Sequence, residues 1–80
     1  MSTEPEPQLI QSPLSQAITR EGHILKVDIY RLEEEVDWVL EVVNETGTSH
    51  VWDDRFATDQ AALDAVHEAL DEEGITAFLD

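Results

Sequence analysis

The sequence predicts an α+β fold: a three- to four-stranded antiparallel meander sheet with one long C-terminal helix packed on one face, in the order β-β-β-β-α. Three observations carry that expectation. Leu25-Val27-Ile29 and Trp38-Leu40-Val42 alternate with a period of two on either side of an acidic break at Glu33-Glu34-Glu35, the mark of paired half-buried strands. Glycine-bearing turns stand at Arg20-Glu21-Gly22 and Glu45-Thr46-Gly47. Ala62, Leu63, Val66, Ala69 and Leu70 then recur at helical spacing between Thr58, a good N-cap, and Gly74, a good stop.

In chain order, residues 1–13 read as a disordered acidic tail, because Pro5, Pro7 and Pro13 flank Glu4 and Glu6. Leu9 and Ile10 alone do not offset the entropy of ordering such a segment. Residues 14–80 form the single α+β domain. Strands are expected over about 15–19, 24–31, 36–44 and 48–53. A three-residue loop ending in Gly22 pairs Thr19 with His23 and Ala17 with Leu25. The same chemistry at Gly47 pairs Asn44 with Thr48, Val42 with His50 and Leu40 with Trp52. Between the central strands the loop must hold an even number of residues, or every side chain of one strand turns over; 32–35, with Arg31 facing Val36, meets this. Asp59 just inside the helix favours the positive end of its dipole, whereas Glu72 and Glu73 crowd the negative end. Ile75 is expected against Leu70 in a Schellman cap, and 76–79 either adds a short strand or docks beneath the helix.

Nineteen acids against four bases give a formal charge of −15. Such a chain repels nucleic-acid phosphates and anionic membranes, which leaves basic proteins and cations as partners; alternatively the charge only keeps the chain soluble. With no Cys there is neither a disulfide nor a thiolate metal site, which suits a reducing cytoplasm. The N-terminus lacks the basic and apolar regions of a signal peptide, and no apolar run approaches the roughly 20 residues of a membrane helix. A cytoplasmic location is the expectation.

No catalytic, cofactor or metal site is expected. The three glycines are isolated, so no phosphate-cradling loop exists. Asp53-Asp54-Arg55-Phe56-Ala57-Thr58-Asp59 lacks the alternation and closing Glu of a calcium loop. Asp64, His67 and Asp71 share a helix face, either as a weak cation site or as an ordinary polar face. His50 lies near Asp53 and beside Ser49, but strand alternation sends Ser49 and His50 to opposite faces, which defeats direct proton transfer. Trp38 and Trp52 read as core on the helix side. The opposite face carries the candidate partner surface: Ile18, Ile24, Tyr30, Val39, Val43 and Val51, interspersed with Lys26, Asp28, Asp37 and Glu41. So many aliphatics on a single-layer sheet suggest a face covered by a second protomer or another protein; the alternative is that strands favour β-branched residues even when exposed.

From WVLEVV at Trp38 to FATDQAALDAVHEAL ending at Leu70, the chain partly resembles the HicB-type antitoxins, whose pattern is W-x-x-E-V-P followed by G-x-T-x-x-E-A-L-x-x-A. The proline after the valine pair and the glycine before Ala57-Thr58 are absent, and Gln60-Ala61-Ala62 replaces Glu-Glu-Ala. The resemblance covers less than half the chain, implies a sheet-then-helix order and transfers no site residue. The chain is also similar to small acidic bacterial proteins, which implies no activity. The expected function is therefore a non-enzymatic, acidic protein-interaction module, self-associating or heterologous. The alternatives are an acidic nucleic-acid mimic or a HicB-like antitoxin that neutralises a basic partner.

Overall fold

The computed structural model describes residues 8–79; the expected tail over 1–7 lies outside them. The fold is α+β, a five-stranded antiparallel sheet followed by a C-terminal helix. The strands are β1 (Leu9–Gln11), β2 (Gln16–Arg20), β3 (His23–Leu32), β4 (Val39–Val43) and β5 (Ser49–Val51), and the helix is α1 (Asp59–Glu73). A 3-10 turn, Ile75–Phe78, follows.

The ten-residue strand β3 is central, pairing with β1 and β2 on one side and with β4 on the other. Leu25, Val27 and Ile29 alternate onto its inner face and are fully buried against α1, beside Leu40 and Val42 of β4. Burying each such side chain contributes roughly 1.5–3 kcal/mol. From the helix come Ala62, Leu63, Val66 and Leu70, the stripe read from helical spacing, with Ala69 only partly buried at its edge.

Four local expectations give way. Leu9–Gln11, assigned to the tail, is strand β1, paired Leu9 to Leu32 and Gln11 to Tyr30. It shares the edge of β3 with β2, separated by a bulge at residues 12–15 that absorbs Pro13, which has no N–H to give a ladder. The Ser15 hydroxyl stands in for the missing backbone partner: it accepts from Ile29 N–H at 3.0 Å and donates to Ile29 C=O at 3.2 Å. Ser12, buried in the same bulge, donates to Asp59 at 2.7 Å and ties the edge to the helix start.

The first hairpin turns through two residues, not three. Arg20 pairs with His23 and Ile18 with Leu25, so Ile18, expected on the outer face, is core with 9% exposure. The tight turn places Glu21 and Gly22 at φ 50° and 80°. A non-glycine residue there costs about 1–2 kcal/mol. Recovering an aliphatic side chain for the core is worth roughly 1.5–3 kcal/mol, and burial wins.

Between β3 and β4 the parity holds but the register moves by two: Ile29 faces Leu40 and Tyr30 faces Val39. Trp38 is diverted, exchanging both backbone hydrogen bonds with Phe56 at 2.7 and 3.0 Å. Arg31 lies over the Trp38 ring at 5.1 Å and donates to the Glu35 carbonyl at 2.7 Å, which gathers the longer loop and leaves Val36 80% exposed. The second glycine turn is as expected, with Asn44 bonded to Thr48 and Val42 facing His50.

Thr58 caps α1 by accepting from Ala61 N–H. At the other end Gly74 N–H donates to Leu70 C=O, a single-bond cap where a Schellman pair was expected. Gly74 sits at φ 79°, ψ 171°, a region essentially reserved for glycine. The bend swings Ile75 and Phe78 into the core, so 76–79 docks and adds no strand. Asn44 holds that dock. Its Nδ2 donates to Phe78 C=O at 2.7 Å, while its Oδ1 accepts from Thr46 N–H, Thr46 hydroxyl and Thr48 N–H.

Asn44→Asp keeps the accepting oxygen but sets a carboxylate against the Phe78 carbonyl. The expected loss is about 2–3 kcal/mol, read as a lower urea midpoint with unchanged slope. Gly74→Ala meets no atom within 4 Å of the added Cβ, so its cost is conformational. It is expected to be about 1–3 kcal/mol in the same assay.

Candidate functional site

The outer face of the sheet is built by the residues that alternate with the core. Ile24, Lys26, Asp28 and Tyr30 project from β3, Val39, Glu41 and Val43 from β4, and Ser49 and Val51 from β5. Strand β1 adds Leu9 and Gln11, two contributors assigned at first to the tail. Among the described residues no helix packs on this side. Ile24 and Val51 are 50% and 54% exposed, and Tyr30, Val39 and Val43 are half-buried by their neighbours. Of the six residues expected on the surface, all but Ile18 lie here.

The face has a polar centre. Asp28 stands directly opposite Glu41. Gln11 Nε2 donates to Asp28 at 3.0 Å, and the Tyr30 hydroxyl donates to Glu41 at 3.2 Å. The Ser49 hydroxyl also hydrogen-bonds Glu41. Two open hollows of about 420 Å³ each flank the Gln11–Asp28 bond. One runs past Ala17, Ile24 and Lys26 toward the bulge, and the other past Leu9, Tyr30 and Glu41. Partial burial, and then the neighbouring Glu41 and Asp28 carboxylates, push the Tyr30 phenol above its ordinary value.

The cations are mostly engaged elsewhere. Arg20 pairs with Asp71 at 3.1 Å and Arg55 with Glu35 at 3.0 Å. Arg31 is held by the 32–35 loop carbonyls. Lys26 alone of the four points from the sheet's outer face.

The other constellations disperse. Ser49 faces outward to Glu41, while His50 faces inward with its ring edge-on to Phe78 at 5.7 Å. Trp52 stacks on the same Phe78 at 5.9 Å. Together with Ala69 and Glu73 these rings line a hollow of about 340 Å³ beneath the helix end, and the buried His50 Nε2 has no hydrogen-bond partner among the described residues. Asp53 and Asp54 are exposed in the loop before α1. Asp64 accepts from Gln60 and Asp71 pairs with Arg20, and among the described residues no three His, Cys, Asp or Glu side chains gather as metal ligands. No helix is long and apolar enough to cross a membrane.

Comparison with family models, with curated proteins and with solved structures finds no significant match. The partial HicB-like pattern gains no support there, and the site rests on its own geometry.

The chain has one tyrosine, so its phenolate absorbance reports Tyr30 directly. A raised phenol pKa means the folded state holds the proton longer. Its contribution to stability is full below the unfolded value and is lost as pH rises through the folded one. Titration of the native protein is expected to run above that of the urea-unfolded chain. Glu41→Gln should bring it part of the way down, with the remainder due to burial and to Asp28.

Proposed function

We propose that this chain is a small, acidic, non-enzymatic interaction module that binds a protein through the outer face of its sheet. The observation that supports the reading is Ile24, Tyr30, Val39, Val43 and Val51 gathered on a face that no second layer covers among the described residues. Apolar surface in one place, rimmed by polar groups, is what a docking site supplies. Both a second copy and a different protein satisfy that need. Two chains each at −15 repel, whereas a basic protein is attracted and steered, so the heterologous partner is favoured. The same charge works against direct binding to nucleic acid or to anionic lipid, and the cysteine-free chain fits a cytoplasmic setting.

A second reading, an acidic mimic that fills the basic groove of a nucleic-acid-binding protein, draws on the surplus of unpaired carboxylates. Salt separates the two, since a purely electrostatic contact is lost at high ionic strength and an apolar one persists.

Ile24→Thr with Val51→Thr keeps β-branched residues at exposed positions, so the fold is expected to stay within about 0.5 kcal/mol of wild type. The pair should abolish capture of the partner from lysate of the native host in moderate salt. An unchanged set of captured proteins would sink the outer-face reading.

A further inference from the structure

The outer face carries a feature that its apolar residues do not explain. Asp28 and Glu41 are cross-strand neighbours on one side of an antiparallel pair, where side chains stand close and like charges are destabilising. The donors that hold them, Gln11, Tyr30 and Ser49, are neutral. Arg20 and Arg55 pair with Asp71 and Glu35 instead, and Arg31 serves its own loop on the other face. Lys26, on the same face as the two carboxylates and lining one of the hollows, makes no ion pair with either. Among the described residues no ion pair involves either carboxylate. The pair lies between two hollows that share Gln11 and Asp28, so it forms part of the floor of a shallow trough and is no rim decoration. Val39 and Val43 flank Glu41 on the same face, and Ile24 lines the hollow that Asp28 borders.

Building on the outer-face reading above, we propose that the trough seats an arginine of a basic protein partner. Asp28 and Glu41 take the guanidinium, while Ile24, Val39 and Val43 take the apolar side chains beside it. Charge complementarity selects this occupant. A planar guanidinium offers five donors and matches carboxylate oxygens two at a time, and it also lies well against apolar and aromatic surface. A second copy is a poor occupant, because a twofold contact would lay one carboxylate pair against the other.

The test is an amide NMR titration of the full chain with a short peptide alternating arginine and valine, beside a twin with glutamine for arginine. The arginine peptide is expected to shift amides in 24–30 and 39–43, and the twin to bind at least about tenfold more weakly. Asp28→Asn with Glu41→Gln keeps the accepting oxygens, should melt no lower than wild type, and should weaken the arginine peptide by about tenfold. Asp64→Asn with Glu68→Gln removes the same charge from the exposed side of the helix and should leave binding within about twofold. Equal losses in both double variants, shifts centred on α1, or a lower melting temperature for the first variant would each overturn the proposal. If Ile24→Thr with Val51→Thr weakens the peptide while Asp28→Asn with Glu41→Gln does not, the outer face survives as a docking site and the carboxylate seat falls. If neither pair matters, both fall. Light scattering that gives a dimer dispersed by the outer-face variants replaces the basic partner with a second copy.

Discussion

Everything in this fold depends on the alternation along β3. One strand of ten residues sends Leu25, Val27 and Ile29 to the helix and Ile24, Lys26, Asp28 and Tyr30 away from it. All neighbouring registers must respect that division, because a slip of one residue exchanges core for surface along the whole strand. Each hairpin's length is held to the parity that keeps its apolar residues on the helix side. The loop before β4 keeps the expected parity with a shift of two, whereas the loop after β2, at two residues and not three, reverses it and so brings Ile18 to the core. Turn chemistry yields where the two conflict, since one aliphatic side chain outweighs one strained backbone residue.

Apolar burial sets the layers, and a few polar contacts set their ends. Ser12 and Ser15 fasten the broken edge strand to the helix start and to Ile29. Asn44 fastens the last hairpin to the 3-10 turn, 34 residues further along the chain. These side chains are short, so holding them in place costs little conformational entropy. The long charged residues mostly stay at the surface, where ion pairs such as Arg20–Asp71 contribute little.

The central architecture was legible because period two and period 3.6 are imposed by burial itself. Leu40, Val42 and the helix stripe could be placed from spacing alone. What spacing could not reveal was governed by side-chain to backbone bonds. Nothing in Leu9-Ile10-Gln11 distinguishes a strand from a tail until Ser15 is known to supply the bond that Pro13 interrupts. The pairing of Trp38 with Phe56 joins residues that no short-range pattern connects. The outer-face positions were legible from alternation, except that the choice of a three-residue loop misplaced Ile18 and the expected tail hid Gln11. The facing of Asp28 and Glu41 needed the true register.

The bulge at residues 12–15 has a further consequence. A sheet of this kind has two rims, each offering unpaired backbone groups to any passing strand. On one rim the bulge and Pro13 interrupt the ladder after three residues, and on the other β5 is itself only three residues long. Among the described residues the longest run left on either rim is the five residues of β2, set off from β1 by the bulge, which leaves little straight edge for a foreign strand to extend. With both rims short and a helix over one side, the broad surface that the described residues leave open is the outer pleated face.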